Sequence, residues 1–294
     1  VKKSFSNSSL KNIIKAGVIG FPISHSLSPI IHNFYLNKYK INGTYEAFAI
    51  PNENFEDSIK NLVEQQNLSG FNITIPHKEK IYNLCHHLSK TAQITKAVNT
   101  VIIMQNGKFF GHNSDAEGFI KNFFNHFPNY RLNHKKCLVI GAGGASRAIV
   151  YSLISQKVAK IFITNRDQEK ALKLIADFKN FSQQNLVELE FVPLKTKFDF
   201  LNEIDLIING TSLGMINQQK LDIDISNAKK TAIVYDIVYK PLITDLLRQA
   251  KELDLKIITG IGMLIEQALI GFEAWFKIKA EFDLELEKIL LKNC

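Results

Sequence analysis

One feature restricts the possible folds more than any other: an alternation of strand-like and helix-like stretches that runs along the chain and then starts again. Short runs rich in β-branched and aromatic residues give way to amphipathic stretches of helical period, and this order demands parallel sheets covered by helices. In the first third, residues 15–20 read as a strand ending in a turn. Residues 28–39 read as a helix, with Ser28 as N-cap and Pro29 in the first helical position. Strands are expected at 44–50 and 71–75, and helices at 52–66 and 77–88. Residues 98–104 and 108–111 flank Asn106-Gly107, a pair suited to a two-residue hairpin turn. The alternation then resumes with helices at 115–127, after the glycine-rich stretch 141–146 to about 155, and at 168–178 and 244–253. Strands fall between them at 136–140, 160–164, 206–209, 232–236 and 256–258. From Met263 onward the chain reads as helix, and periodicity leaves open which unit that helix covers.

At 294 residues the chain is long enough for two domains at roughly 150 residues each, joined near residues 111–115. Hydrophobic residues at 46% and charged residues at 22% argue against a disordered chain. Apolar runs are broken by Lys, Asn or Arg before reaching the ~18 residues of a membrane span, so no membrane partner is expected. The balance of 36 Lys+Arg to 28 Asp+Glu gives a net +8. The lysines are scattered without a basic block or aromatic-interleaved stripe, which argues against specific nucleic-acid binding. Cys85, Cys137 and Cys294 are odd in number and lack metal-site spacing, so a reducing compartment, the cytoplasm, is expected and no metal site. The polar stretch 1–12 lacks the apolar core of a secretion signal and reads as a frayed tail.

Strand 136–140 runs into Gly141-Ala-Gly-Gly-Ala-Ser146 and then a helix, the setting of a dinucleotide site. The first glycine permits a tight turn, the second a close approach of backbone to pyrophosphate, and the helix start offers free N–H groups to the anion. The third glycine of the usual fingerprint is replaced by Ser146. At the end of the next strand stands Thr164-Asn165-Arg166, where an NAD site usually offers a carboxylate to the ribose. A guanidinium there favours a 2′-phosphate, hence NADP, although Asp167 could turn toward the same pocket.

Further polar groups fall at strand-to-helix junctions of the first unit, where open α/β sheets place ligands. Ser26 and Ser28 follow the first strand beside exposed backbone N–H groups and suit a carboxylate; both also fit a turn and cap. Thr74 ends the third strand and Lys78 opens the expected helix, whose dipole would depress the lysine pKa and ease proton exchange. Asn99 and Asp115 add an amide and a carboxylate, with Asp115 doubling as the N-cap of its helix.

These segments carry a family resemblance. Ser-His-Ser-Leu-Ser-Pro, Asn-Ile-Thr-Ile-Pro-His-Lys, Ala-Val-Asn-Thr, Asn-Ser-Asp, Gly-Ala-Gly-Gly-Ala-Ser-Arg, Thr-Asn-Arg, Asn-Gly-Thr-Ser-Leu-Gly-Met, Tyr-Asp-Ile-Val-Tyr and Gly-Ile-Gly-Met-Leu-Ile-Glu-Gln follow in this order. The ordered set, spanning residues 15 to 267, resembles the shikimate dehydrogenase family. The resemblance implies two α/β domains. Residues 1–114 with 260–294 would bind substrate and house catalysis, and 115–259 would form a Rossmann-like dinucleotide domain.

It implies reversible NADPH-dependent reduction of 3-dehydroshikimate to shikimate, in aromatic amino acid biosynthesis, by a monomer or homodimer. Lys78 and Asp115 match the catalytic pair. Ser26, Ser28 and Tyr239 match the groups on the substrate carboxylate, and Thr74, Asn99 and Gln267 those on its hydroxyls. Gly141, Ala142, Gly143, Gly144, Ala145, Ser146, Asn165, Arg166, Lys170, Thr211, Ile237 and Gly260 match cofactor positions. His112, Ala116, Asp167 and Lys170 depart from the residues usual there. The alternatives are a quinate/shikimate enzyme preferring NAD, and a non-catalytic dinucleotide-binding regulator.

Overall fold

The computed structural model describes residues 13–294; the stretch 1–12, expected to be a frayed tail, lies outside the described residues. A first sheet comprises β1 (Ile14–Gly20), β2 (Gly43–Ala49), β3 (Gly70–Ile73), β4 (His87–Leu88), β5 (Thr100–Ile103) and β6 (Phe109–His112). Its order is β2-β1-β3-β5-β6-β4. β1 pairs in parallel with β2 and β3, whereas β5 runs antiparallel to β3 and to β6 across the expected hairpin. Gly107 turns that hairpin at φ 75°, a conformation glycine adopts without a Cβ penalty.

The second sheet holds β7 (Lys136–Ile140), β8 (Lys160–Thr164), β9 (Glu188–Phe191), β10 (Leu206–Asn209), β11 (Ile233–Asp236) and β12 (Lys256–Ile258). All its pairings are parallel, in the order β12-β11-β10-β7-β8-β9. The direction of progression reverses between β7 and β10, which opens a crevice beyond their carboxyl ends. β7 needs its unbroken Cys137-Leu-Val-Ile140 run because both faces of this sheet are covered, and all four residues are buried.

The helices are α1 (Ser28–Lys38), α2 (Phe55–Gln66), α3 (Lys90–Thr95), α4 (Asp115–His126), α5 (Gly144–Ser155), α6 (Gln168–Gln184), α7 (Asp245–Glu252), α8 (Gly260–Phe276) and α9 (Leu284–Leu291). α1, α8 and α9 share one core with β1. α8 is apolar nearly all round and is buried nearly all round, which answers where the carboxyl-terminal helix packs. α4 lies close against α8 because Gly118 brings no side chain: a Cβ there would fall 2.9 Å from the Gln267 backbone nitrogen.

Four expectations needed correction. The 77–88 stretch is not one helix but a turn, a 3-10 segment at Ile81–Leu84 and then β4. His86 and Ser89 give their N–H groups to Phe109 and Gly111, so pairing with the open edge of β6 outweighs the helical pattern. The terminal helix breaks after Phe276, where Lys277 takes a left-handed cap conformation. Leu27 and Ser114, not Ser28 and Asp115, occupy the N-cap positions of α1 and α4. β9 was missed, although its Glu-Leu-Glu-Phe alternation carried the signal; Lys160 pairs with both glutamates at 2.6 and 2.5 Å.

Candidate active site

Lys78 and Asp115 meet. The ammonium lies 2.5 Å from Asp115 Oδ2, with the two side chains only 15% and 7% exposed. Lys78 sits in the turn after β3, not on a helix, so the dipole expected to act on it from its own helix is absent. Its carbonyl is held by the Val98 N–H at 2.8 Å. Asp115 is the first helical residue of α4, where the helix dipole favours a carboxylate. Its own N–H donates to Asn113 Oδ1 at 3.1 Å, which fixes the start of the helix.

Asn99 joins this pair. Its amide N–H groups donate to Asp115 Oδ1 (2.8 Å), Ser114 Oγ (3.0 Å) and Gln267 Oε1 (3.3 Å), and its Oδ1 accepts from the Ser114 N–H (2.7 Å). The donors on one side and acceptors on the other leave that amide a single orientation. Gln267 arrives from α8, which the α4 contact presses onto the site. Lys78, Asp115, Asn99 and Gln267 therefore form one connected, mostly buried cluster.

Thr74 lies on the turn that carries Lys78, its carbonyl accepting from the His77 N–H at 3.0 Å. The Ser28 N–H donates to Ser26 Oγ at 3.3 Å, and the Ser28 side chain is buried. The Tyr45 phenol donates to Asn72 Oδ1 (2.6 Å), and Asn72 donates to the Asn99 carbonyl (3.0 Å), so a buried hydrogen-bonded path runs from β2 to the Lys78 cluster. Tyr239 follows β11 in sequence but packs on the α1 and α8 core. Burial pushes its phenol up to about 12, so it remains a protonated donor at neutral pH.

The glycine loop lies against this cluster. Gly141 adopts φ 116°, and a Cβ on Gly144 would sit 3.0 Å from the Lys78 Cβ. A Cβ on Gly143 would meet nothing within 4 Å, so the outer face of the loop is open. α5 has no side-chain cap, which leaves its first-turn N–H groups available to an anion. Ala142 is buried beneath the loop and Ala145 half-buried on α5. Ser146 does not face the crevice: it is fully buried and donates to the Gly210 carbonyl at 3.0 Å, closing the loop from below.

Arg166 is exposed beyond β8 and donates to Gln219 Oε1 at 3.2 Å. Asn165 donates to the Asp167 carbonyl. Asp167, which could have turned toward the same pocket, instead caps α6 by accepting from the Lys170 N–H at 3.2 Å, and the Lys170 ammonium lies 3.9 Å from it. Thr211 donates through both its N–H and its hydroxyl to Asn209 Oδ1, at 3.0 and 2.7 Å. The Ile237 N–H pairs with the Asn209 carbonyl, and Gly260 packs so closely on Ile237 that a Cβ would fall 2.2 Å from its carbonyl oxygen.

Several site-shaping residues escaped the sequence reading. Asn72, Asn113 and Ser114 orient Asn99 and Asp115. Asn209 and Asp236 tie together the loops after β10 and β11 at 2.9 Å, and Thr244 donates to Asp236 at 2.7 Å. The available signal was a polar residue closing an apolar strand. Burial pushes the Asp236 carboxyl up to about 6 against the bonds from Thr244, Val238 and Asn209. His112, one of the departures, lies 2.8 Å from Ser89 Oγ and 3.7 Å from Glu117. Among the described residues no helix is long and apolar enough to cross a membrane, and no cluster of His, Cys, Asp or Glu could hold a metal.

Comparison with known proteins places the chain in a family. The family description "Shikimate dehydrogenase substrate binding domain" matches residues 18–101, and "Shikimate / quinate 5-dehydrogenase" matches 124–258. The chain belongs to the shikimate dehydrogenase family. A family member from Paramagnetospirillum magneticum, named shikimate dehydrogenase (NADP(+)), is 38% identical over 94% of this chain and 97% of that protein. The crystal structure of the Aquifex aeolicus shikimate dehydrogenase has a TM-score of 0.83 at 34% identity, covering 96% of this chain and 98% of the other. The Thermus thermophilus enzyme, solved with NADP(H) and shikimate, has a TM-score of 0.82 at 30% identity, covering 96% and 100%. The shikimate dehydrogenase fold thus spans nearly the whole described chain, with both sheets included.

Proposed function

We propose that this chain catalyses the reversible NADPH-dependent reduction of 3-dehydroshikimate to shikimate. One observation carries the reading: the Lys78–Asp115 pair abuts the first residue of the glycine-loop helix. Proton chemistry and a dinucleotide site thereby meet at one point. Residues 1–114 with 260–294 serve as the substrate-binding and catalytic domain, completed by Asp115 at its border, and 115–259 as the dinucleotide-binding domain. The reducing, cytoplasmic setting expected from the cysteines suits such a biosynthetic enzyme.

The residues present fit NADP. The open face at Gly143 and the uncapped start of α5 would take the pyrophosphate beside Gly141, Ala142, Gly144 and Ala145, with Ser146 bracing the loop. Arg166, Asn165 and Lys170 would hold the 2′-phosphate, since Asp167 is committed to its helix cap. Thr211, Ile237 and Gly260 would border the nicotinamide half. When bound, the nicotinamide supplies the site that gives or takes the hydride.

The protein supplies the rest. Ser26, Ser28 and Tyr239 bind the carboxylate of the acid; Thr74, Asn99 and Gln267 hold its ring hydroxyls. Lys78 gives a proton to the oxygen of the carbonyl undergoing reduction and takes it back from the alcohol in oxidation. Asp115 keeps the ammonium aimed at that oxygen and accepts from the neighbouring hydroxyl, while Asn99 fixes the carboxylate.

The test is spectrophotometric: shikimate oxidation followed as NADPH absorbance, with NADP and then NAD, and with quinate in place of shikimate. Robust turnover with shikimate and NADP is expected. Cofactor binding without turnover of either acid would sink the proposal.

A further inference from the structure

Arg147 closes the glycine-loop segment, yet its side chain points away from the loop. It is 3% exposed, and its guanidinium donates through Nε to the Thr95 carbonyl at the end of α3 and through a terminal nitrogen to Asp177 on α6. Asp177 also takes the Lys96 ammonium at 2.5 Å. Burial works against the Asp177 charge, but the bonds from Lys96 and Arg147 hold its carboxyl below the usual range. The buried guanidinium is thus anchored at two points, a carbonyl at the end of α3 and a carboxylate on α6.

The path continues from Thr95. Its hydroxyl accepts from Asn113 Nδ2 at 3.2 Å, Asn113 also donates to the Ala97 carbonyl at 3.1 Å, and Asn113 Oδ1 accepts from the Asp115 N–H. Each link is buried. The same helix, α5, touches the other half of the pair at its first residue, where Gly144 meets the stem of Lys78. Farther along, Ser152 donates to the Ala116 carbonyl at 2.7 Å. One rigid helix therefore contacts the segments of both the ammonium and the carboxylate.

We propose that Arg147 is a positioning residue for the reaction: through Thr95 and Asn113 it braces the cofactor-side helix α5 against the start of α4, setting the distance between hydride and proton partners. The proposal rests on the activity proposed above. A misplacement of about 1 Å between reacting groups can cost about 100-fold in rate, so a brace of this kind acts on turnover more than on affinity.

The test uses the full chain and three variants. Arg147→Lys keeps the charge but loses the planar fork; Thr95→Val removes the hydroxyl at constant shape and leaves the Arg147 bond in place; Thr95→Ser restores the hydroxyl. Wild-type turnover with shikimate and NADP is measured first, and its failure removes the activity, not the brace. Binding constants for NADP alone and shikimate alone come from calorimetry, with thermal midpoints alongside. Arg147→Lys and Thr95→Val are expected to lose about tenfold or more in kcat, with both binding constants within about threefold and Thr95→Ser near wild type. The deuterium isotope effect on the transferred hydrogen should rise in the two impaired variants. Should Arg147→Lys not fold, the Thr95 pair decides. Unchanged kcat in Thr95→Val, or equal impairment of Thr95→Ser, overturns the proposal.

Discussion

Asp236 makes the fold sensitive to pH in a direction opposite to most carboxylates. It is fully buried, and burial raises its carboxyl from 3.8 to about 6. The folded state thus holds this proton more tightly than the unfolded chain. Stability from Asp236 is complete below the unfolded value near 3.8 and is lost as pH rises through about 6. Two units at 1.36 kcal/mol each amount to about 3 kcal/mol. The variant Asp236→Asn keeps an acceptor for Val238 and Asn209 and cannot ionise. Thermal or urea unfolding of both proteins from pH 4 to 7 isolates the effect, because every other titrating group is common to the pair. Asp236→Asn should gain about 3 kcal/mol relative to wild type between pH 4 and pH 7, or roughly 6–12 °C in midpoint at 2–4 °C per kcal/mol. A difference that stays constant over that window would refute the reasoning, since it would mean that the carboxyl does not change its ionisation between folded and unfolded chains.

Other expectations follow from the site. Lys78→Ala should lower kcat by about 10²–10⁴-fold with little change in KM for shikimate, measured in steady state with circular dichroism to confirm folding. Arg166→Ala should raise KM for NADP at least about tenfold while sparing that for NAD, and equal losses would remove it from the 2′-phosphate. Asp167→Ser, which retains a capping oxygen, should change the NADP-to-NAD preference by no more than about threefold, because the native carboxylate is already engaged with α6. Gly118→Val should destabilise the fold by about 1–3 kcal/mol or more, read as a lower thermal midpoint, since its side chain would meet the Gln267 and Met263 backbone.

Much of the architecture was legible because period and punctuation are local properties. The strand–helix alternation, the Asn106-Gly107 hairpin and the strand-to-glycine-loop junction depend on neighbours within a few residues, and they stand where the sequence placed them. The family resemblance carried the candidate residues. Lys78, Asp115, Asn99 and Gln267, separated by up to 189 positions (267 − 78), do converge. What failed was what a distant partner decides. Residues 77–88 have a helical pattern, but the edge of β6 offered carbonyls to the N–H groups of His86 and Ser89, which hold His87–Leu88 as β4 instead.

The side-chain roles divide in the same way. Residue type alone determined that Asp167 carries a carboxylate beside Arg166; only the folded chain decided that this carboxylate turns into the α6 cap, leaving the guanidinium unopposed. Residue type determined that Arg147 is a cation next to a glycine loop; the packing of α3 and α6 decided that it points away from that loop, because Asp177 and the Thr95 carbonyl lie there. Sequence fixes which groups a chain owns and the periodicity that folds each segment. The direction in which a buried polar group points is set by whichever partner can satisfy it, and that partner is brought near only by tertiary packing.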